Sequence, residues 1–224
     1  MSNKDIKVLI VDDHPMIIEG YKNALLGINS DEMTLRIDTS DSCDGAYAKI
    51  KNASTGTAYD VVFLDIKLPP SSDGKIISGE DLGIKVKELL PDTKVVILTM
   101  FNNNFRIHNI LKNINPDGFL VKSDVTSDEL MRAFQVVLTD PPYYSHTVTK
   151  LLRTRIINEV VLDDIDRNIL FHLSKGIKTK NLTEYIPLSL AAIEKRKRHL
   201  KEVFDVEKKG DESLLEQARN TGFL

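Results

Sequence analysis

Four short apolar runs near the start of this chain each end on a side chain that carries charge or donates a hydrogen bond. VLIVDDH ends on Asp12 and Asp13, VVFLDIKLP on Asp65, KVVILTM on Thr99 and GFLVKS on Lys122. Runs this short, rich in Val, Ile and Leu and apolar throughout, read as strands buried on both faces. They cover Ile6–Val11, Asp60–Leu64, Lys94–Thr99 and Gly118–Val121, while a more polar run, Met33–Thr39, suits a sheet edge. Helical spacing fills the gaps. Ile17, Ile18, Tyr21 and Leu25 share one face after Pro15, and Leu130, Ala133, Phe134 and Val137 share another after an N-cap at Ser127. Further helices are predicted near 44–51, 80–90 and 105–114. Strands alternating with helices through right-handed crossovers give an α/β fold, a doubly wound five-stranded parallel sheet of flavodoxin-like order. The C-terminal ends of such strands lie along one edge, which brings three acids, a hydroxyl and an ammonium toward one crevice.

The pattern changes after residue 139. DPPYYS halts the preceding helix, and Lys150, Arg153 and Arg155 turn the chain basic, which marks 141–160 as a linker. Beyond it, 161–224 reads as a second, smaller all-α domain with helices at 163–174, 179–185, 190–203 and 212–220. Charge divides at the same place. Residues 1–140 carry 15 Lys and Arg against 21 Asp and Glu, whereas residues 141–224 carry 15 against 12. An acidic first domain (1–140) and a mildly basic second one are expected to meet different partners. The single cysteine, Cys43, has no internal disulfide partner, which suits a reducing cytoplasm. No stretch approaches the roughly 20 apolar residues of a membrane span, so no membrane partner is expected.

Carboxylates gathered at a sheet edge repel one another unless a cation sits among them. Oxygen-only ligands favour a hard ion such as Mg²⁺, which shares its shell with water and phosphate oxygens. A carboxylate can also attack a phosphoryl group to form an acyl phosphate, while metal and ammonium neutralise the transferring charge. A hydroxyl at Thr99 gains a partner only once that group is in place, which is what a switch requires. Singly, each residue has an ordinary role: Asp13 as a cap, His14 at a helix start, Lys122 as a surface charge, Phe119 in the core. In register together, residues 4–139 resemble the receiver domain of a two-component response regulator. The resemblance makes Asp65 the phosphoacceptor. It has Asp13 bind Mg²⁺ directly, with Asp12 close to it or acting through water, and the Lys67 backbone carbonyl completing the protein ligands. Thr99 and Lys122 become the switch hydroxyl and the phosphate-pairing lysine, and Phe119 the rotating aromatic. The segment PPSSDGKIISGED after Asp65 is longer than the family's usual loop, and long loops tend to be functional or mobile.

In the second domain Ser189 is a natural N-cap, with Ile193, Leu200 and Phe204 as inward anchors. Between them runs EKRKRHLK, which can lie in a major groove and meet phosphates on its flanks. A charge run alone is usually a solvated helix face. The surrounding framework is Leu173 and Gly176, then Lys180, Leu182 and Glu184, then Leu188-Ser189, and a closing ESLLEQARNTGFL. That framework resembles the LuxR-type helix-turn-helix of the NarL/FixJ class of response regulators. The resemblance turns Glu194, Lys195 and Arg198 toward base edges, and Lys180, Arg196 and Lys201 toward phosphates. Ala192-Ile193-Glu194 replaces the family's frequent Thr-Val-Lys. A glutamate there is repelled by phosphate but can accept from cytosine N4.

The combined expectation is a cytoplasmic, DNA-binding response regulator. A cognate histidine kinase phosphorylates Asp65 with Mg²⁺ present, Phe119 turns inward, and the C-terminal domains are released or paired so that a homodimer binds double-stranded DNA to regulate transcription. The chain is expected not to be an enzyme beyond slow loss of its own phosphate. Phosphatases with an aspartyl nucleophile commonly place a second Asp two residues on, where this chain has Lys67. Two other readings compete: a signalling adaptor whose C-terminal helices bind protein, and a receiver regulated without phosphorylation.

Overall fold

A computed structural model describes residues 4–28, 33–100, 104–153, 162–204 and 206–224. The chain divides into two compact units, Met1–Asn102 with Ile114–Thr154, and Asn103–Asn113 with Arg155–Leu224.

The first unit is built on one parallel sheet of order β2-β1-β3-β4-β5-β6. Its strands are β1 (Lys4–Val11), β2 (Met33–Ser40), β3 (Val61–Asp65), β4 (Lys94–Thr99), β5 (Gly118–Val121) and β6 (Tyr143–Tyr144). Side chains alternate between faces along each strand. Ile6, Val8 and Ile10 of β1 join Val61, Phe63, Val96, Leu98 and Leu120 in one core. Ile18 and Leu25 of α1 (Pro15–Leu26) and Leu130, Phe134 and Val137 of α5 (Ser127–Thr139) close that core. Leu9, Val11, Val62 and Leu64 are fully buried as well. Burial on both faces is why the central strands read as continuous apolar runs. Two more helices, α2 (Cys43–Ser54) and α3 (Gly79–Leu89), begin at Ser42 and Ser78, whose hydroxyls accept from Gly45 N–H and Glu80 N–H. The α5 N-cap is Thr126 rather than Ser127: its Oγ1 accepts from Glu129 N–H at 3.2 Å. The Thr-x-x-Glu spacing of a capping box selects it.

Among the described residues the sheet has six strands, not five, and part of the expected linker is folded. Tyr143 and Tyr144 pair in parallel with Gly118 and Phe119, and α6 (His146–Arg153) follows. The two prolines stop α5 but leave the next residues free to pair with the open edge of β5. Tyr143 N–H donates to the Asp117 carbonyl and Ser145 N–H to the Phe119 carbonyl, both at 3.0 Å. Of the 141–160 segment, 154–160 lies outside the described residues.

The second unit has α7 (Asp164–Ser174), α8 (Leu190–Val203) and α9 (Asp211–Asn220) around Ile169, Leu173, Leu182, Ile193, Leu200 and Leu214. Gly176, at φ +80°, lets the chain leave α7, with Ile177 N–H returning to the His172 carbonyl at 3.2 Å. The helix expected at 179–185 is a 3-10 turn over Thr179–Glu184. Thr179, Asn181 and Thr183 are weak helix formers, and Pro187 limits any extension. Helix α4 (Asn104–Ile114), expected in the first domain, falls largely within this unit. Leu162 N–H donates to Asn109 Oδ1 at 2.6 Å and its carbonyl accepts from Asn113 Nδ2 at 3.0 Å.

Asp117, just before β5, ties three elements of the sheet's other end together. Its carboxylate lies 2.6 Å from Lys87 Nζ and 3.4 Å from Lys94 Nζ, and accepts from Val95 N–H at 2.9 Å. Burial alone would push this carboxyl up, but the bonds from Lys87 and Val95 hold it below the usual range. A depressed carboxyl contributes stability that is full above the unfolded value of about 3.9 and is lost as pH falls through the lower folded value. Asp117→Asn is expected to cost about 1–2 kcal/mol at neutral pH and to flatten the acid limb of the stability curve. Urea unfolding across the acid range measures both, and a variant as acid-sensitive as the parent would remove Asp117 from the account.

Candidate functional site

The sheet order places β1 beside β3, with β4 and then β5 beyond, so the strand ends carrying Asp12, Asp65, Thr99 and Lys122 share one edge. Lys122 bridges the acids. Its Nζ lies 2.6 Å from Asp12 Oδ2 and 2.8 Å from Asp65 Oδ2, with the lysine side chain only 5% exposed. Thr99, fully buried at the end of β4, pairs in register with Val121, the residue before Lys122. Asp12 Oδ1 accepts from His14 N–H at 3.1 Å, and Asp13 Oδ1 lies 2.7 Å from His14 Nδ1. Asp13 is the most open of the acids and His14 is largely exposed, at the mouth of the cluster. Lys67 presents its N–H, which donates to Asp65 Oδ1 at 3.2 Å. Phe119 is already fully buried, on a strand whose outer neighbour is β6.

Burial pushes the Asp65 carboxyl up and the Asp12 charge adds to this, while the Lys122 contact acts against it. Burial disfavours the Lys122 charge, but the bonds to Asp12 and Asp65 hold its pKa above the usual lysine value. Asp12, Asp13, His14 and Asp65 each offer a ligand atom, all within 4.8 Å of one another. Three carboxylates with one ammonium leave two negative charges, and the carboxylate oxygens match a hard divalent cation. The cluster is therefore compatible with Mg²⁺.

The long segment after Asp65 is folded rather than open. Ser72 donates from N–H and Oγ to the Asp44 carboxylate at 2.9 and 3.1 Å, pinning the loop to the start of α2. Ile66, Leu68 and Ile76 within it are buried. At its end, Gly79 N–H donates to the Ile66 carbonyl at 3.0 Å. A Cβ at Gly79 would collide with the Asp65 carbonyl oxygen, so a side chain there would push α3 off the strand that presents Asp65. Sequence reasoning missed Gly79. The helix predicted near 80–90 left Gly79 just outside its start, and nothing local reveals the close approach.

On α8 the cations divide by direction. Arg196 Nη1 lies 2.7 Å from Asp163 Oδ2 and 2.9 Å from Asp166 Oδ1. Lys197 and Lys201 share Asp211, each at 2.9 Å. Two of the expected phosphate contacts, Arg196 and Lys201, are thus engaged within the unit. Glu194, Lys195 and Arg198 are exposed, as is Lys180 in the preceding turn. Among the described residues none of these four has a side-chain partner.

Residues 8–135 match the family described as the response regulator receiver domain. The oxygen regulatory protein NreC of Staphylococcus haemolyticus is 26% identical over 216 residues, covering 91% of this chain and 93% of that protein. The NreC of Staphylococcus carnosus is 25% identical over the same shares. Among solved structures, RcsB from Salmonella enterica serovar Typhimurium, bound to promoter rprA with the phosphomimetic BeF3⁻, matches with a TM-score of 0.67 at 20% identity, over 96% of this chain and 98% of that one. A structure of two RcsB dimers on two parallel DNAs gives 0.58 at 19% identity, over 98% and 100%. At these identities the structural matches speak to the fold. Among the described residues no helix is long and apolar enough to cross a membrane.

Removing Lys122 leaves buried carboxylates uncompensated. Lys122→Ala is expected to cost about 3–5 kcal/mol. Adding Asp65→Asn should recover part of that loss, because the substitution also removes one of the repelling charges. Denaturant unfolding of the two single variants and the double variant checks this, and strictly additive losses would contradict the bridge.

Proposed function

The chain belongs to the response regulator receiver domain family, and from that premise we propose that it is a phosphorylation-controlled, DNA-binding transcription regulator of the NarL/FixJ type. The observation that carries the reading is Lys122 held between Asp12 and Asp65, beside buried Thr99. In the proposed reaction an Asp65 carboxylate oxygen attacks the phosphorus of a phosphohistidine on a cognate kinase. The P–N bond breaks, its electron pair returns to the imidazole, and an acyl phosphate remains on Asp65. Lys122 then pairs with the new phosphoryl oxygens, and the Thr99 hydroxyl donates to one of them. Mg²⁺ held by Asp12, Asp13 and Asp65, with the Lys67 carbonyl, would neutralise charge on the transferring group. The site stores the phosphoryl group rather than turning over a substrate. Lys67 stands where an aspartyl phosphatase would place its second acid.

The output assigned to the second unit is double-stranded DNA. Outward-facing Lys195 and Arg198, with Lys180 nearby, supply a cationic face, and Glu194 offers an acceptor for cytosine N4. The RcsB structures on promoter DNA and as DNA-bound dimers support carrying a DNA-bound homodimer to this chain; that the dimer forms on activation and acts in the cytoplasm is part of the same proposal. Because Phe119 is buried in this structure, its inward turn is not the step we assign to activation.

Beryllofluoride or acetyl phosphate with Mg²⁺ is expected to shift the wild-type chain toward a dimer and to raise its affinity for its promoter fragment. Asp65→Ala should do neither, and equal responses in sizing and DNA-shift assays would defeat the phospho-switch. Absence of DNA binding even at low salt would move the second unit to a protein partner. The two arginines of α8 separate fold from function. Arg198→Ala should change stability by no more than about 0.5 kcal/mol while weakening DNA binding. Arg196→Ala should cost about 1–3 kcal/mol of stability through its lost acidic partners. Unfolding and binding titrations on both variants would show the opposite ranking if the faces are misassigned.

A further inference from the structure

Ser145, just before α6, is fully buried, and its N–H and Oγ make three hydrogen bonds to the chain around Lys122. Its N–H donates to the Phe119 carbonyl at 3.0 Å, and its Oγ accepts from Val121 N–H at 3.2 Å. The same Oγ donates to Asp124 Oδ2 at 2.7 Å. Asp124 closes the 3-10 turn that Lys122 opens. Its carboxylate also accepts from Thr147 N–H and Thr147 Oγ1, both at 2.8 Å, at the first turn of α6. Burial alone would push the Asp124 carboxyl up, but the bonds from Ser145 and Thr147 hold it below the usual range. Asp124 is therefore charged, and hydrogen bonds to a charged acceptor are roughly twice as strong as neutral ones. One side of this three-residue turn grips Asp12 and Asp65, and the other grips the chain that leaves the sheet.

We propose that Ser145 and Asp124 form a latch that transmits the occupancy of Asp65 to α6, the last described helix of the first unit. The proposal rests on the reading of Asp65 as phosphoacceptor. A phosphoryl group there draws the Lys122 ammonium away from its shared position between Asp12 and Asp65. The displacement passes through Lys122-Ser123-Asp124 and alters the hold of Asp124 on Ser145 and Thr147. A cap that only starts α6 would stabilise that helix equally in both states of the site. A latch makes the exchange of α6 amides depend on the site, and the two ends bias each other reciprocally.

The test uses the full chain with Mg²⁺ and beryllofluoride. Fluorine NMR reports the bound analogue, and hydrogen exchange is read on peptides covering residues 146–153. In the wild type, the analogue is expected to change α6 exchange by about fivefold or more, the lower end of ordinary coupling between sites. Asp124→Asn, which keeps the side chain's size, and Ser145→Ala should retain the bound fluorine signal and reduce the change below about twofold, within the reach of a lost coupling. Urea unfolding establishes that each variant is folded, and Asp124→Asn carries the test if Ser145→Ala is not. An α6 response of wild-type size in a folded variant overturns the latch, as does an unresponsive α6 in wild type with analogue bound. No bound fluorine signal in the wild type, with Asp65→Ala as control, overturns the phosphoacceptor reading itself and the latch with it.

Discussion

A single ammonium holds three strands to one chemistry. Lys122 leaves the end of β5 and reaches past β4 to Asp65 on β3 and Asp12 just after β1. Without it, two nearly solvent-free carboxylates would face each other in a medium where unit charges interact strongly. The bridge therefore fixes which oxygens point inward and which remain for another cation. With Asp13 at the mouth, the cluster keeps a net double negative charge. That residual charge is both a strain on the fold and the reason the site is compatible with a divalent ion. Natural sites commonly keep such a conflict where function requires it.

The remainder of the first unit makes that bridge rigid. Central strands buried on both faces allow little register slip, since a shift of one residue would turn every side chain to the opposite face. Gly79 extends the constraint to α3, which starts directly against the carbonyl of Asp65. The long loop between them is anchored through Ser72 to Asp44, so its added length does not leave Asp65 on a loose support. The added chain is accommodated by a second anchoring point rather than by flexibility.

How much of this was legible in the sequence follows from the range of each interaction. The five main strands and the helices between them are local patterns, and Asp12, Asp65, Thr99 and Lys122 meet because strand-end positions in a parallel sheet converge whatever the loops do. Thr126 was displaced to Ser127 by a single residue, as cap positions often are. The sixth strand was missed because two tyrosines after two prolines carry no periodicity, and only the open edge of β5 gives them a partner. Gly79 was missed for the same reason: the carbonyl it must clear belongs to another element. Arg196 was assigned to phosphate from the family resemblance, and its ion pairs with Asp163 and Asp166, about thirty residues earlier in the chain, were not visible in the sequence.

Those long-range pairs also change what the charge of the second unit means. The excess of three basic residues over acidic ones in 141–224 understates its positive face, because the total counts every acid alike. Asp163, Asp166 and Asp211 are engaged with Arg196, Lys197 and Lys201, and these pairs brace α8 against α7 and the start of α9. What remains outward near the start of α8 is Lys195 and Arg198 beside Glu194. Paired charges contribute little field at a distance, whereas unpaired ones on one face attract a polyanion and orient it. A mixed outward face also gives a reason for selectivity. Under the proposed DNA-binding function, glutamate beside two cations would disfavour indiscriminate phosphate contact and reward a base edge that can donate, which suits reading a sequence over coating a duplex.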